Sequence, residues 1–141
     1  MYRVAIAAGW LLLLVVGQAP ACTPSASNSA IDANAQVARG DGVDVVFKFD
    51  PPSPALGQLL AMRVNACDQD GQPVLGRLRV DAVMPAHGHG MNYTPKAVRL
   101  ETTPVVLRGL VFHMPGVWRL LFTLRSDTRV YRVTYELDVG L

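Results

Sequence analysis

The stretch Trp118–Val139, WRLLFTLRSDTRVYRVTYELDV, decides the fold of this chain. On both sides of a short polar triplet, apolar side chains recur at every second position, as they do in strands with one buried face. The triplet, Ser126–Thr128, has the composition of a turn. The stretch therefore predicts an antiparallel hairpin whose apolar side chains share one face and form much of the core. Those side chains are Trp118, Leu120, Phe122, Leu124, Tyr131, Val133, Tyr135, Leu137 and Val139.

Five further segments upstream have the composition or the alternation of strands, and turn signals separate them. They are residues 43–49, 60–67, 77–84, 97–102 and 105–113. With the hairpin they make about seven short strands at roughly ten-residue spacing, which is typical of a sandwich. The sequence thus predicts an all-β domain, an immunoglobulin-like β-sandwich of about seven antiparallel strands. A small barrel is the alternative.

Residues 1–21 have the pattern of a bacterial export signal. Arg3 precedes the apolar run Val4–Val16, and Ala19-Pro20-Ala21 provides the small residues of a cleavage region. The apolar run is shorter than the roughly 20 residues that span a bilayer, so a cleaved signal is favoured over a transmembrane anchor. We therefore expect the mature protein on the periplasmic side of a bacterial cell envelope.

Cys22 follows the cleavage region directly, and this arrangement resembles the lipobox of bacterial lipoproteins. The resemblance implies that Cys22 is lipidated and anchors the protein to a membrane. Ordinary secretory cleavage after Ala21, which would give a soluble periplasmic or secreted protein, is the alternative. Residues 22–42 are predicted to form the anchor and a flexible tether, with a weak helix at Ile31–Arg39 as an option. The β-sandwich domain is predicted for residues 43–141.

The second cysteine, Cys67, lies at the end of a predicted strand. If Cys22 is lipidated, Cys67 has no partner within the chain, because the chain has two cysteines. If Cys22 is not lipidated, a disulfide between the two is expected in an oxidising compartment. In either case we interpret Cys67 as a small packed residue and not as a metal ligand.

Charge and composition exclude several classes of function. Thirteen basic and eleven acidic residues give a net charge of +2, and the absence of a basic block argues against nucleic-acid binding. Neither a nucleophile elbow nor a pair of carboxylates for acid–base chemistry is present, so the protein is not expected to be an enzyme. Four arginines are expected on the outer side of the last hairpin, either as a solvated face or in contact with lipid headgroups or an acidic partner. They are Arg119, Arg125, Arg129 and Arg132.

Two segments hold all three histidines. The first, MPAHGHGMNYTP at residues 84–95, contains His87 and His89, and the second, FHMPG at residues 112–116, contains His113. Residues two apart in an extended chain point to the same side, so His87 and His89 are placed to share an ion. The intervening glycines leave room for it.

Methionines accompany the histidines in both segments. Met84 and Met91 flank the first pair, and His113 with Met114 would close a site if the two turns meet at one end of the sandwich. Imidazole and thioether without carboxylate form a donor set that suits copper. Because imidazole must be neutral to bind a metal, binding is expected to weaken below about pH 6.

A purely structural interpretation competes with the metal site. Met84 continues an inward-facing series of apolar residues and is better explained as core. Met114 follows Leu110 and Phe112 on one face, so it too is expected to be buried. His113 would then point to the opposite side, unless the turn ends the strand before it. Met84 and Met114 therefore stand as secondary ligands only.

Residues 81–139 resemble the YtkA-like family, which is related to the FixH type of small periplasmic domain. The segments MPAHGHGMNYTP at 84–95 and GLVFHMPGVWRLLF at 109–122, together with the closing hairpin, carry the resemblance. It implies a secreted or membrane-tethered β-sandwich, found in the setting of copper handling or cytochrome oxidase assembly. The ligands it implies are His87, His89 and Met91, with His113 next. We therefore expect an envelope protein that binds or transfers copper with a protein partner, and the alternative is a metal-free accessory module of a membrane complex.

Overall fold

The computed structural model describes residues 34–101 and 104–140, and over these ranges the chain forms nine strands and no helix. The predicted signal segment, Cys22 and most of the predicted tether lie outside the described residues. No helix within the described ranges is long and apolar enough to cross a bilayer. The strands are β1 Gln36–Gly40, β2 Val43–Asp50, β3 Leu60–Asp68, β4 Gly76–Met84, β5 His89–Gly90, β6 Val98–Leu100, β7 Val105–Leu110, β8 Gly116–Arg125 and β9 Val130–Val139.

The strands form two antiparallel sheets that pack face to face. The first sheet has the order β1-β2-β3-β7. The second has β4, β8 and β9 in order, and the short strands β5 and β6 both pair with the outer edge of β4, at opposite ends of it. The prediction of an all-β sandwich is confirmed, with nine strands in place of about seven.

The β8–β9 hairpin has the register that the sequence predicts. Trp118 pairs with Leu137, and Phe122 pairs with Val133, so the apolar side chains of the two strands share the inner face of the second sheet. Phe47 of β2 covers them from the first sheet, with its ring centroid 5.2 Å from that of Phe122 and 5.1 Å from that of Tyr135. This aromatic contact joins the two sheets through one continuous core.

Strand β1 lies in a segment for which the sequence predicts a tether. Gln36–Gly40 pairs with β2 along its whole length, and Ala38 is buried to 1% exposure. The sheet therefore includes Gln36–Gly40, which precedes the predicted domain start at Val43. The weak helix suggested for Ile31–Arg39 is wrong for its described part. Composition misses this strand because its stability comes from pairing with the edge of β2 and not from its own periodicity.

The predicted loop at residues 84–95 and the predicted strand at 105–113 also differ in the structure. His89 and Gly90 form β5, and β7 ends at Leu110. After Leu110 the backbone leaves the sheet, since the carbonyl of Phe112 accepts a hydrogen bond from Gly57 N at 2.7 Å in the loop between β2 and β3. Because β7 ends at Leu110, strand alternation does not set the direction of the His113 side chain.

Cys67 is buried to 3% exposure on the outer side of the first sheet, where it packs with Val46, Ala35 and Val37. It is disulfide-bonded, and the described residues contain no free cysteine. The chain has one other cysteine, Cys22, which lies outside the described residues. A cysteine sulfur carries either a disulfide or a lipid thioether, so lipidation of Cys22 and a bond from Cys22 to Cys67 exclude each other in one molecule.

Candidate functional site

The β4–β5 hairpin positions His87 and His89. Met84 pairs with His89 across the hairpin, and the carbonyl of Met84 accepts hydrogen bonds from the amides of His87 at 3.1 Å and Gly88 at 2.9 Å. Gly88 has φ of +67°, a left-handed conformation that closes this four-residue loop without steric cost. Paired residues direct their side chains to the same face, so His89 extends the inner face at the edge of the sheet and is half-buried. His87 is exposed at the tip.

His113 lies in the connection between β7 and β8, and hydrogen bonds hold the backbone on both sides of it. Gly57 N donates to Phe112 O, and the indole Nε1 of Trp118 donates to Met114 O at 3.0 Å. Trp118 itself is completely buried. Because these bonds replace a strand ladder, His113 turns toward the inner end of the sandwich beside Trp118, and not to the outer side that strand alternation predicts.

The three imidazoles and Trp118 form one group at this end of the sandwich, here called the histidine cluster. The ring centroids of His87 and His89 are 5.9 Å apart, and those of His89 and His113 are 5.3 Å apart with the rings stacked at 27°. The ring centroid of Trp118 lies 5.3 Å from that of His113 and 6.3 Å from that of His89, and the rings meet edge to face in both cases. The structure therefore brings all three predicted histidine ligands together, with His89 in the middle.

The ring nitrogens of the cluster differ in their partners. His113 Nδ1 is buried and has no hydrogen-bond partner within the described part of the chain. His89 Nδ1 lies 3.4 Å from Gly90 O, at the outer limit for a hydrogen bond. A buried nitrogen without a partner costs about 1–3 kcal/mol, so His113 is held in place by its surroundings at the expense of stability. A ligand at Nδ1 would remove that cost.

The ring spacing is compatible with an ion shared between neighbouring imidazoles. When two imidazoles bind one ion through bonds of about 2.0–2.1 Å, their centroids lie about 5–6 Å apart. Both measured separations fall in this range. As the side chains stand, no three His, Cys, Asp or Glu residues of the described ranges are arranged around a common point for an ion. The cluster thus provides two adjacent imidazole pairs that share His89.

The methionines have different positions. Met84 is buried in the core at 2% exposure, as its place in the inward-facing series predicts. Its terminal methyl lies close to Gly116, where an added Cβ would come within 2.9 Å of it. Met91 and Met114 are half-buried and pack against the core. Of the three, Met91 directly follows β5 and is the methionine nearest to His89 in the chain.

Trp118 is the component of the site that sequence patterns assign only to the core. Its alternation with Leu120 and Phe122 predicts burial, and burial is observed. Its contact with two imidazoles and its hydrogen bond to Met114 O follow from the way the β7–β8 connection folds back, which no local pattern predicts. The sequence feature that could have indicated this contact is the position of Trp118 five residues after His113, across a Met-Pro-Gly turn.

The fold and the cluster define a two-sheet β-sandwich protein with a histidine–tryptophan cluster at one end. Comparisons with protein-family models, with curated proteins and with solved structures gave no match. The resemblance to the YtkA-like family therefore stays a prediction.

Proposed function

We propose that this protein binds a copper ion at the histidine cluster, through His89 and His113, with His87 and Met91 as further ligands. The observation that supports the proposal is the stacking of two imidazoles beside a buried indole, where Nδ1 of His113 is buried and has no hydrogen-bond partner among the described residues. A buried polar atom of this kind calls for a partner, and a bound metal ion would provide one.

The donor set favours copper over other metals. The cluster offers imidazole nitrogens with a thioether nearby, whereas zinc sites more often include cysteine or carboxylate. Copper, when bound, would be cargo that is exchanged with a partner protein. His87, exposed at the tip of the β4–β5 loop, would be the first ligand that an incoming ion or partner meets. The protein acts as a binding protein and not as an enzyme.

Copper titration of the mature chain tests the proposal, with Cu(I) under anaerobic conditions and Cu(II) in air. Trp118 would be the single tryptophan of that chain, since Trp10 belongs to the predicted signal, and Cu(II) beside it would quench its fluorescence. We expect His89→Ala and His113→Ala each to weaken binding by about tenfold or more. His87→Ala is expected to have a smaller effect.

Asn92→Ala provides the matched control, because Asn92 is exposed in the same loop and offers no ligand of the proposed set. It should bind copper as the wild type does. Equal affinity of the wild type, His89→Ala and His113→Ala would remove the histidine cluster as the copper site.

A metal-free interaction module in a membrane complex is the second candidate, and exposed apolar residues favour it. Leu56 and Leu59 are 45% and 69% exposed in the loop between β2 and β3. Through Gly57 this loop holds the backbone beside His113. A photocrosslinking amino acid at position 59 should capture an envelope partner in cells, whereas the same group at Val106, a 37% exposed strand residue, should not. Equal labelling from both positions would argue against a specific partner surface.

The disulfide at Cys67, for which Cys22 is the one other cysteine of the chain, supports a soluble periplasmic form over attachment to the envelope by a lipid at Cys22. The lipid anchor is the alternative. The intact mass of the membrane-extracted protein separates the two fates of this cysteine, because lipidation adds acyl mass and a disulfide removes two hydrogens. Cys22→Ala should release the protein from membranes if the lipid anchors it. Unchanged membrane association of Cys22→Ala would contradict the anchor, and a Cys22–Cys67 disulfide in the isolated protein would replace it with a soluble periplasmic form.

A further inference from the structure

The outer face of the second sheet contains a groove that is separate from the histidine cluster. Its floor is formed by β4, β8 and β9, and its volume is about 630 Å³. On one edge of β4, β6 pairs with Gly76–Leu78 and β5 pairs with Val83 and Met84, so the stretch between them has no strand on that edge among the described residues. The connection around Pro95 passes over this gap and forms a wall of the groove.

Four arginines line the groove against a single acidic residue. They are Arg77, Arg79, Arg125 and Arg132, and the acid is Asp81. Asp81 is already engaged, because Arg79 lies 3.4 Å from it and the backbone amide of Ala82 donates to it at 2.9 Å. The other three arginines form no salt bridge with any described residue. Among the described residues the groove therefore carries an excess of positive charge, and Asp41, which is already paired with Arg129, offsets part of it at Arg132.

The strand register places like charges directly opposite one another. Arg77 pairs with Arg125 on β8 and with Arg99 on β6, so three arginines form a row across three strands. One step along the strands, Arg79 pairs with Thr123, which in turn pairs with Arg132. Like charges directly opposite in a sheet are destabilising. A sheet that retains one such row, with two further arginines on either side of Thr123 in the next, is suited to an anion that neutralises them.

Other arginines of the same hairpin have acidic partners within the fold. Arg119, on the same outer face toward the opposite end of β8, pairs with Glu136 at 2.8 Å across the strands. Arg129 in the β8–β9 turn pairs with Asp41 at 2.6 Å. Acidic partners are thus present around the groove, but within the described ranges none forms a salt bridge with Arg77, Arg125 or Arg132, and Asp41 accepts a hydrogen bond only from the backbone amide of Arg132. Arg119 provides an internal comparison for any test of the groove.

We propose that this arginine groove binds a small soluble compound that carries two or more phosphate groups. Guanidinium groups bind phosphate oxygens in a bidentate manner, and two arginines on neighbouring strands stand about 5 Å apart, close enough to hold one phosphate. The two arginine rows are separated by about 7 Å along the strands, which suits a second phosphate on a short linker. Thr123 lies in the second row, between Arg79 and Arg132, and its hydroxyl is a further donor.

The shape of the groove favours a soluble ligand over a membrane surface. Its volume is within the range of about 300–1,000 Å³ that is typical of small-molecule sites. A planar bilayer would contact the outer arginine side chains but would leave the floor, with Thr123 and Asp81, unused. The exposed positions of the arginines also place the charge where a phosphorylated ligand can enter directly from solvent.

Calorimetric titration of the mature protein with inositol hexakisphosphate and with pyrophosphate tests the proposal, and two-dimensional NMR locates the bound probe. We expect saturable binding that weakens with salt, with the largest shifts at the amides of Arg77, Thr123 and Arg132. Arg77→Gln and Arg125→Gln should each weaken binding by about tenfold or more, because each removes a charge-assisted hydrogen bond. Arg119→Gln on the same face should bind as the wild type does.

A second measurement does not depend on the choice of probe. If Arg77 and Arg125 repel each other in the free protein, Arg77→Gln should raise the thermal unfolding midpoint without ligand and abolish the rise that the phosphorylated probe causes. Three results would overturn the proposal: no binding of either probe, equal losses in Arg77→Gln and Arg119→Gln, or binding only to vesicles containing phosphatidylglycerol. The last result would assign the face to an anionic membrane.

Discussion

Replacement of Trp118 by phenylalanine perturbs the residue that connects the core to the histidine cluster. The indole N–H donates to Met114 O, and loss of this bond is expected to cost about 0.5–1.5 kcal/mol of unfolding free energy. The smaller ring also leaves about three buried heavy atoms unreplaced at a site with 0% exposure, worth about 2 kcal/mol at roughly 0.8 kcal/mol per methylene. The expected total is about 3 kcal/mol, a large part of the 5–15 kcal/mol that is typical of a domain.

Urea unfolding followed by far-ultraviolet circular dichroism measures this loss, since the variant lacks the tryptophan signal. Phe112→Leu is the matched control: Phe112 is also fully buried, its ring lies 5.4 Å from Trp118, and its side chain donates no hydrogen bond. Phe112→Leu also removes three buried heavy atoms, so we expect the control to cost about 2 kcal/mol, without the contribution of a lost hydrogen bond. A loss in Trp118→Phe that is no larger than in Phe112→Leu would refute the stabilising role of the indole hydrogen bond.

Three further variants test the backbone and the electrostatics of the domain. Gly76→Ala should destabilise the fold by about 2 kcal/mol or more, because φ is +153° and the new Cβ would collide with the carbonyl of Arg125. Gly57→Ala is the control, because φ is +70° there but a Cβ added at Gly57 would meet no described atom within 4 Å apart from its chain neighbours. We expect it to cost about 1 kcal/mol of unfolding free energy. Equal losses in Gly76→Ala and Gly57→Ala, measured by thermal unfolding, would exclude the collision. The pKa of Asp41 is lowered, first by the hydrogen bond from the backbone amide of Arg132, so its contribution to stability is present above the ordinary carboxyl pKa and is lost as the pH falls through the lowered value. The difference in unfolding midpoint between the wild type and Asp41→Asn should therefore be constant at neutral pH and shrink as the pH falls below about 4, and a difference that stays constant there would contradict this role.

The two proposed sites use different surfaces of one sheet. The histidine cluster stands at the end of the inner face, beside the buried Trp118 and the β7–β8 connection. The arginine groove lies on the outer face between β5 and β6. Because the sites share strand β8 but no side chain, copper binding and phosphate binding can be lost separately. Arg77→Gln should retain copper affinity, and His89→Ala should retain phosphate affinity.

Much of the fold follows from alternation along the chain. The period of two in Trp118–Val139 determines which residues face the core, and the observed register pairs Trp118 with Leu137 as that pattern requires. The same parity places Met84 in the core. These features are local, because a strand side chain can face only one of two sides and burial selects the apolar one.

Contacts between distant segments decide what alternation leaves open. Strand β1 forms by pairing with β2, and β7 ends at Leu110 because Gly57 binds the carbonyl of Phe112. The same early end directs His113 toward His89, against the parity expected for a strand that continued to residue 113. The rows of arginines likewise depend on the register of β4 with β6 and β8.

The sequence by itself therefore determined the sandwich, its core-facing residues and the residue types of the proposed copper site, because each depends on composition and a two-residue period. Only the tertiary structure decided that the three imidazoles meet beside Trp118 and that unpaired arginines line one groove. The physical reason is that both arrangements depend on register and on turns fixed by hydrogen bonds between segments far apart in the chain, and such bonds have no signature in the local sequence.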